Sequence, residues 1–110
     1  MRVQIFLEAG LPAEQVKYLG QLAEGLGIDT LWASSFPARR DAFLSLCQLA
    51  PASKTLRVGV VPVSPYEMHP LRLADTLLTL NEMAKGRASL MVGGLGKSVS
   101  SITGLEPVKR

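Results

Sequence analysis

The sequence predicts an α/β fold with a parallel sheet, on three observations. Short apolar segments alternate with segments of helical period in the order β-α-β-α-β-α-β, with short connections between them. The third strand segment, Leu56 to Val61, is largely apolar on both faces, as strands covered from both sides are. The apolar fraction is 47%, mostly Leu, Val and Ala, and only 5% is aromatic, which is material for a packed core rather than a disordered chain. The alternation by itself leaves two architectures available, an open doubly wound sheet and a closed barrel.

The elements follow in order. Arg2 to Glu8 reads as a strand closed by a turn at Ala9-Gly10. A helix starts at Leu11-Pro12-Ala13-Glu14, because proline lacks an N–H that would be unpaired there anyway and Glu14 complements the helix dipole. Val16, Leu19, Leu22, Ala23 and Leu26 form its apolar stripe, and Gly27 suits the left-handed conformation that ends it. Ile28 to Ala33 is the second strand and Ser34 to Pro37 a loop. Asp41 is placed to cap a second helix with the face Ala42, Leu44, Leu46, Leu49 and Ala50, ending near Pro51. After the third strand, a loop containing Pro62, Pro65 and Pro70 leads into a third helix with Leu71, Ala74, Leu77, Leu78 and Met83 on one side and Gly86 as its stop. Ala88 to Val92 is the fourth strand, followed by Gly93-Gly94-Leu95-Gly96.

Four parallel strands leave two unpaired edges, and Lys97 to Arg110 carries no apolar helix to cover one. The expectation is that residues 1–110 are part of a longer chain, or that a second copy supplies the remaining strands. The net charge of +3 comes from dispersed Lys and Arg with acidic residues between them, without the basic stripe that nucleic-acid binding needs. One cysteine, Cys47, excludes an internal disulfide and argues against a zinc cluster. A reducing, cytoplasmic setting is expected, since no signal peptide or long apolar run suggests export or a membrane span.

The glycines after the fourth strand invite comparison with phosphate-binding loops. Both comparisons fail: the Walker pattern needs glycine where Met91 stands, and the dinucleotide fingerprint needs it at Val99. His69 precedes Pro70 at a helix start and reads as a structural hydrogen-bonding residue, and Cys47 as a small packed one. Ser34 and Ser35 stand at a strand end, where barrel enzymes keep their chemistry, yet no base neighbours them in sequence. Val61-Pro62 is more telling, because a proline at the end of a buried strand belongs at an edge, a bulge or a cis turn.

Ala23-Glu24-Gly25-Leu26-Gly27-Ile28-Asp29-Thr30-Leu31-Trp32 resembles the signature of luciferase-like flavin- and deazaflavin-dependent oxidoreductases. Arg57-Val58-Gly59, His69-Pro70 with Ala74, Leu80 with Gly86-Arg87, and the glycine-rich end of the fourth strand continue that resemblance in order along nearly the whole chain. The resemblance implies a parallel (β/α)₈ TIM barrel, of which these residues are the first half, strands one to four. It also implies reduced FMN or the deazaflavin coenzyme F-420 at the carboxyl ends of the strands. Pro65-Tyr66 and His69-Pro70 lean toward the coenzyme F-420-dependent reductases of the methylene-tetrahydromethanopterin type.

On that resemblance the cofactor-binding residues are Ser34 and Ser35 after strand two, Val61, Pro62 and Val63 at a bulge with a cis peptide, and Gly94, Gly96 and Lys97 after strand four. No metal site is expected. Before proline a cis bond costs only about 0.5–1 kcal/mol, so Val61-Pro62 suits that bend. Two departures matter: Ser35 and Phe36 replace an Asp-His pair of many coenzyme F-420 relatives, and Lys97 replaces a carboxylate of others. No catalytic residue is therefore assigned. The implied activity is hydride transfer to or from a small organic substrate, and the implied assembly a homo-oligomer, since such relatives often dimerise through helices of this half. A non-catalytic half-barrel that pairs with itself or another chain is the alternative.

Overall fold

The computed structural model describes residues 2–36 and 38–93. Four strands, β1 (Gln4–Leu7), β2 (Thr30–Ser34), β3 (Arg57–Val63) and β4 (Ala88–Val92), pair in parallel in the order β1-β2-β3-β4. Between them lie α1 (Ala13–Gly25), the short pair α2 (Ala42–Ser45) and α3 (Leu49–Ala52), and α4 (Pro70–Met83). Sequential strand order separates the two architectures that alternation alone left open, because a doubly wound sheet reverses its order partway and carries helices on both faces.

Here every helix packs on one face. Ile5, Leu31, Val58 and Ala88 share one row of that face and Leu7, Ala33, Val60 and Leu90 the next. They form a single core with Val16 of α1, Ala42 and Phe43 of α2, Leu49 and Ala50 of α3, and Leu73 and Leu80 of α4. The opposite face carries the row Phe6, Trp32, Gly59 and Ser89. Trp32 and Phe6 stack with ring centroids 6.0 Å apart, and the Trp32 indole N–H donates to the Gln4 side chain at 2.8 Å. This is the curved arc of a parallel barrel, with aromatic rings on the side that faces the barrel axis.

The ends of the helices follow their chemistry. Asp41 caps α2 by accepting the Leu44 N–H at 2.7 Å, as its position in the sequence suggests. His69 caps α4, its Nδ1 accepting the Leu71 N–H at 3.1 Å, with Pro70 in the first helical turn. Gly27 ends α1 at φ +80°, and the Ile28 N–H closes the turn on the Ala23 carbonyl at 3.0 Å.

Several sequence expectations need correction. The second helix is broken at Leu46 to Gln48, so its face is rotated: Phe43 is buried and Leu44 is 69% exposed. On α1 and α4 the buried positions are Val16, Gly20, Ala23, Leu73 and Leu80, whereas Leu22, Leu26, Leu71 and Leu78 are exposed. Gly20 explains part of this shift, because a Cβ there would overlap the Leu49 side chain. Contact between α1 and α3 runs along that glycine rather than along the leucines. Ser34 is the last residue of β2 rather than part of a loop, and Pro62 and Val63 lie inside β3.

Candidate functional site

At the amino-terminal ends of the strands, two charged side chains hold the sheet to its helices. The Glu24 carboxylate accepts the N–H groups of Lys54, Thr55 and Leu56, each at 2.8 Å. Desolvation opposes its ionisation, but those backbone donors outweigh it and hold the carboxyl below its ordinary value. The Arg87 guanidinium donates to the Ser53 hydroxyl and carbonyl, both at 2.8 Å, and to the Leu56 carbonyl at 2.6 Å. Both residues belong to the motifs that carried the resemblance, and both serve as structural clamps. Cys47 lies on the helical layer, its thiol pushed up by burial and by the charge of Asp41, with Sγ near the Phe43 carbonyl at 3.7 Å. It suits packing rather than nucleophilic chemistry.

The opposite end is open. β3 takes three residues from Val60 to Val63 while β4 takes two from Leu90 to Val92, so β3 holds one extra residue, a bulge. Pro62 sits in it without an N–H to offer the ladder, and the Val61-Pro62 bond is cis as expected. The Gly93 N–H rejoins β3 at the Val63 carbonyl, 3.0 Å away, and the Val61 carbonyl accepts the Ser35 N–H at 2.8 Å. A Cβ on Gly93 would come within 3.1 Å of Pro62, so glycine keeps this strand end close-packed.

Two clefts flank that end of the sheet. One, of about 440 Å³, is lined by Glu8, Ala9, Ser34, Ser35, Phe36 and Arg39. The other, of about 390 Å³, runs from Ser35 and Phe36 past Arg39 to Val63, Tyr66 and Glu67. Ser35, Phe36 and Arg39 belong to both. Glu67 on the second wall has its carboxyl raised by desolvation.

Of the residues the sequence singled out, Ser34, Ser35 and Val63 therefore converge on the clefts. Val61 and Pro62 shape the strand end behind them without lining either one. Gly94, Gly96 and Lys97 lie outside the described residues. Glu8 and Arg39 are additions that sequence reasoning missed. Glu8 could have been found by parity, since it follows Leu7 and points with Phe6 away from the helices; Arg39 sits in a loop and offers no periodic signal. Among the described residues no group of three His, Cys, Asp or Glu is arranged to hold a metal ion, and no helix is long and apolar enough to cross a membrane.

A parallel arc with helices on one side and clefts at the carboxyl ends of its strands is the architecture of part of a (β/α)₈ barrel. Residues 1–106 match the model of the luciferase-like monooxygenase family, and the chain belongs to that family. It is 32% identical over 100 residues to 5,10-methylenetetrahydromethanopterin reductase of Archaeoglobus fulgidus, which covers 87% of this chain and 30% of the reductase.

The coenzyme F-420-dependent tetrahydromethanopterin reductase of Methanopyrus kandleri superposes with a TM-score of 0.90 at 24% identity, over 96% of this chain and 30% of that one. The oxygenating constituent of 3,6-diketocamphane monooxygenase from Pseudomonas putida, solved in complex with FMN, gives 0.77 at 19% identity, over 96% and 33%. These two likenesses speak for the fold. Strands β1 to β4 are thus four strands of a (β/α)₈ barrel, and the chain spans about a third of the length of the proteins it matches.

Proposed function

We propose that these residues form a cofactor-facing part of an oxidoreductase that transfers a hydride between coenzyme F-420 and a small organic substrate. FMN is the alternative cofactor. The observation that carries the reading is the convergence of Ser34, Ser35 and Val63 on clefts at the carboxyl ends of β2 and β3, in a chain of this family. The sequence similarity to a methylenetetrahydromethanopterin reductase favours the deazaflavin over FMN.

Ser34 and Ser35 bring hydroxyls to the clefts, backed by the buried Val61 and Val63 of the bulge. A bound deazaflavin would supply the hydride chemistry itself. The chain's part is to orient the ring, through the bulged end of β3, and to keep that side of it dry.

The test is titration of reduced coenzyme F-420 and of FMN into the isotope-labelled chain, followed by amide NMR. Saturable shifts at Ser34, Ser35, Val63 and Gly93 are the expected result. Perturbation of the helical layer alone would overturn the reading.

A second reading is favoured by one observation: the outer strands carry exposed apolar groups, with Phe6 58% and Val92 62% exposed. A homo-oligomer that covers them by adding strands at the edges of β1 and β4 would show as a multiple of the 11.8 kDa chain mass in light scattering. A strictly monomeric chain would exclude it.

A further inference from the structure

Arg39 and Arg40 are adjacent in sequence but have different fates. Arg40 donates to the Gly10 carbonyl and so ties the turn after β1 to the loop after β2. The Arg39 stem lies across the same glycine, its Cδ 3.5 Å from where a Cβ on Gly10 would stand. Its guanidinium makes no hydrogen bond or ion pair among the described residues, yet Arg39 is on the wall of both clefts.

Of the nearby acids, Glu8 shares the first cleft with Arg39 without an ion pair between them. Asp41 is committed to capping α2, and Glu67 is raised by desolvation with no cation drawing it down. The Ser34 and Ser35 hydroxyls are likewise without partners among the described residues. An exposed guanidinium thus shares the first cleft with two serines whose hydroxyls are unpartnered among the described residues. A guanidinium in that state matches a planar or tetrahedral oxyanion by paired N–H donation.

We propose that Arg39, with Ser34 and Ser35, holds an oxyanion group of the substrate, a carboxylate or a phosphate, at the mouth of the clefts. Resting on the functional reading above, this narrows the substrate class to small organic anions.

The test separates this inference from the cofactor reading because it needs no redox cofactor. Inorganic phosphate and propionate are titrated separately into the labelled chain and into Arg39→Gln and Arg39→Lys, with Lys54→Gln as a cationic control remote from the clefts. Saturable shifts at Ser34, Ser35 and Gly10, weakened at least tenfold in Arg39→Gln, partly restored in Arg39→Lys and unchanged in Lys54→Gln, are expected.

Equal titration of the original chain and Arg39→Gln would overturn the proposal, as would non-saturable shifts spread over all cationic residues. A third measurement compares FMN with riboflavin, which lacks the phosphate. If Arg39→Gln weakens FMN but not riboflavin, the arginine holds the cofactor's phosphate and the substrate assignment is wrong. Failure of the cofactor titration with success of the anion titration would sink the cofactor reading alone.

Discussion

The Trp32 ring occupies the space that a side chain on Gly59 would need: a Cβ there would lie 2.6 and 2.7 Å from two of its ring carbons, and 3.1 Å from the Ser89 carbonyl. The two residues are register partners on neighbouring strands, facing the barrel axis. Gly59 therefore stands in this strand for room rather than for flexibility. Gly59→Ala should destabilise the chain by about 1–3 kcal/mol through overpacking against an anchored indole. Urea denaturation measures it, and Trp32→Phe in the same chain should recover part of the loss, since the smaller ring leaves space for the methyl. An unchanged midpoint for Gly59→Ala would contradict the packing described.

Glu24 makes stability depend on pH in a definite direction. Its folded carboxyl titrates below the ordinary value of 4.5, so its contribution is fully present above pH 4.5 and is lost as pH falls through the folded value. Glu24→Gln keeps the shape but loses the charge on an oxygen that accepts three N–H groups, and should cost about 1.5–3 kcal/mol at pH 7. The gap between the two proteins should close in acid. A gap that persisted unchanged at pH 2 would point to packing rather than charge.

Arg87 should tolerate no conservative replacement. Its donors reach the Ser53 hydroxyl and the Ser53 and Leu56 carbonyls together, a fork that one ammonium cannot reproduce. Arg87→Lys is expected to lose about 1–3 kcal/mol in urea melts, with buried carbonyls left short of a donor. Near-identical melts would show that the guanidinium geometry is immaterial.

Much of this was legible beforehand. Strand and helix order and the caps at Asp41 and Gly27 follow from local chemistry, which is encoded within a few residues; Pro62 alone left an edge, a bulge or a cis turn open, and the bulge with its cis bond was what the family resemblance implied. What escaped was set by partners distant in sequence. The leucine stripes of α1 and α4 predicted core at Leu22 and Leu71, which are exposed; on α1 the close approach of Leu49 to Gly20 sets the buried face instead. The second helix read as continuous because its apolar spacing is helical, and nothing local announces the break at Leu46 to Gln48. At the site, Ser34 and Ser35 were reachable because strand ends are predictable, and Val63 only through the resemblance, since the third strand was read as ending at Val61. Arg39 was not, because a loop side chain is placed by the turn it crosses at Gly10.

Cys47 should be slow to react. Burial and the neighbouring Asp41 charge both disfavour its thiolate, so modification by a disulfide reagent at pH 8 is expected at least tenfold slower than for a free thiol. In urea it should reach the free-thiol rate. Fast labelling of the native chain would overturn the placement of α2.

The bulge in β3 sets the parity of everything after it. In an even pleat, Val60 and Val63 would point to opposite faces, yet both enter the helix-facing core. The extra residue acts as a frameshift in the pleat, and Val63, the last residue of the strand, stands in the shifted frame. Substitutions at Val61 or Pro62 leave that frame intact. Deletion of either would turn Val63 out of the core and carry one wall of the second cleft to the wrong side of the strand. At this strand end, therefore, residue count constrains the site more tightly than residue identity.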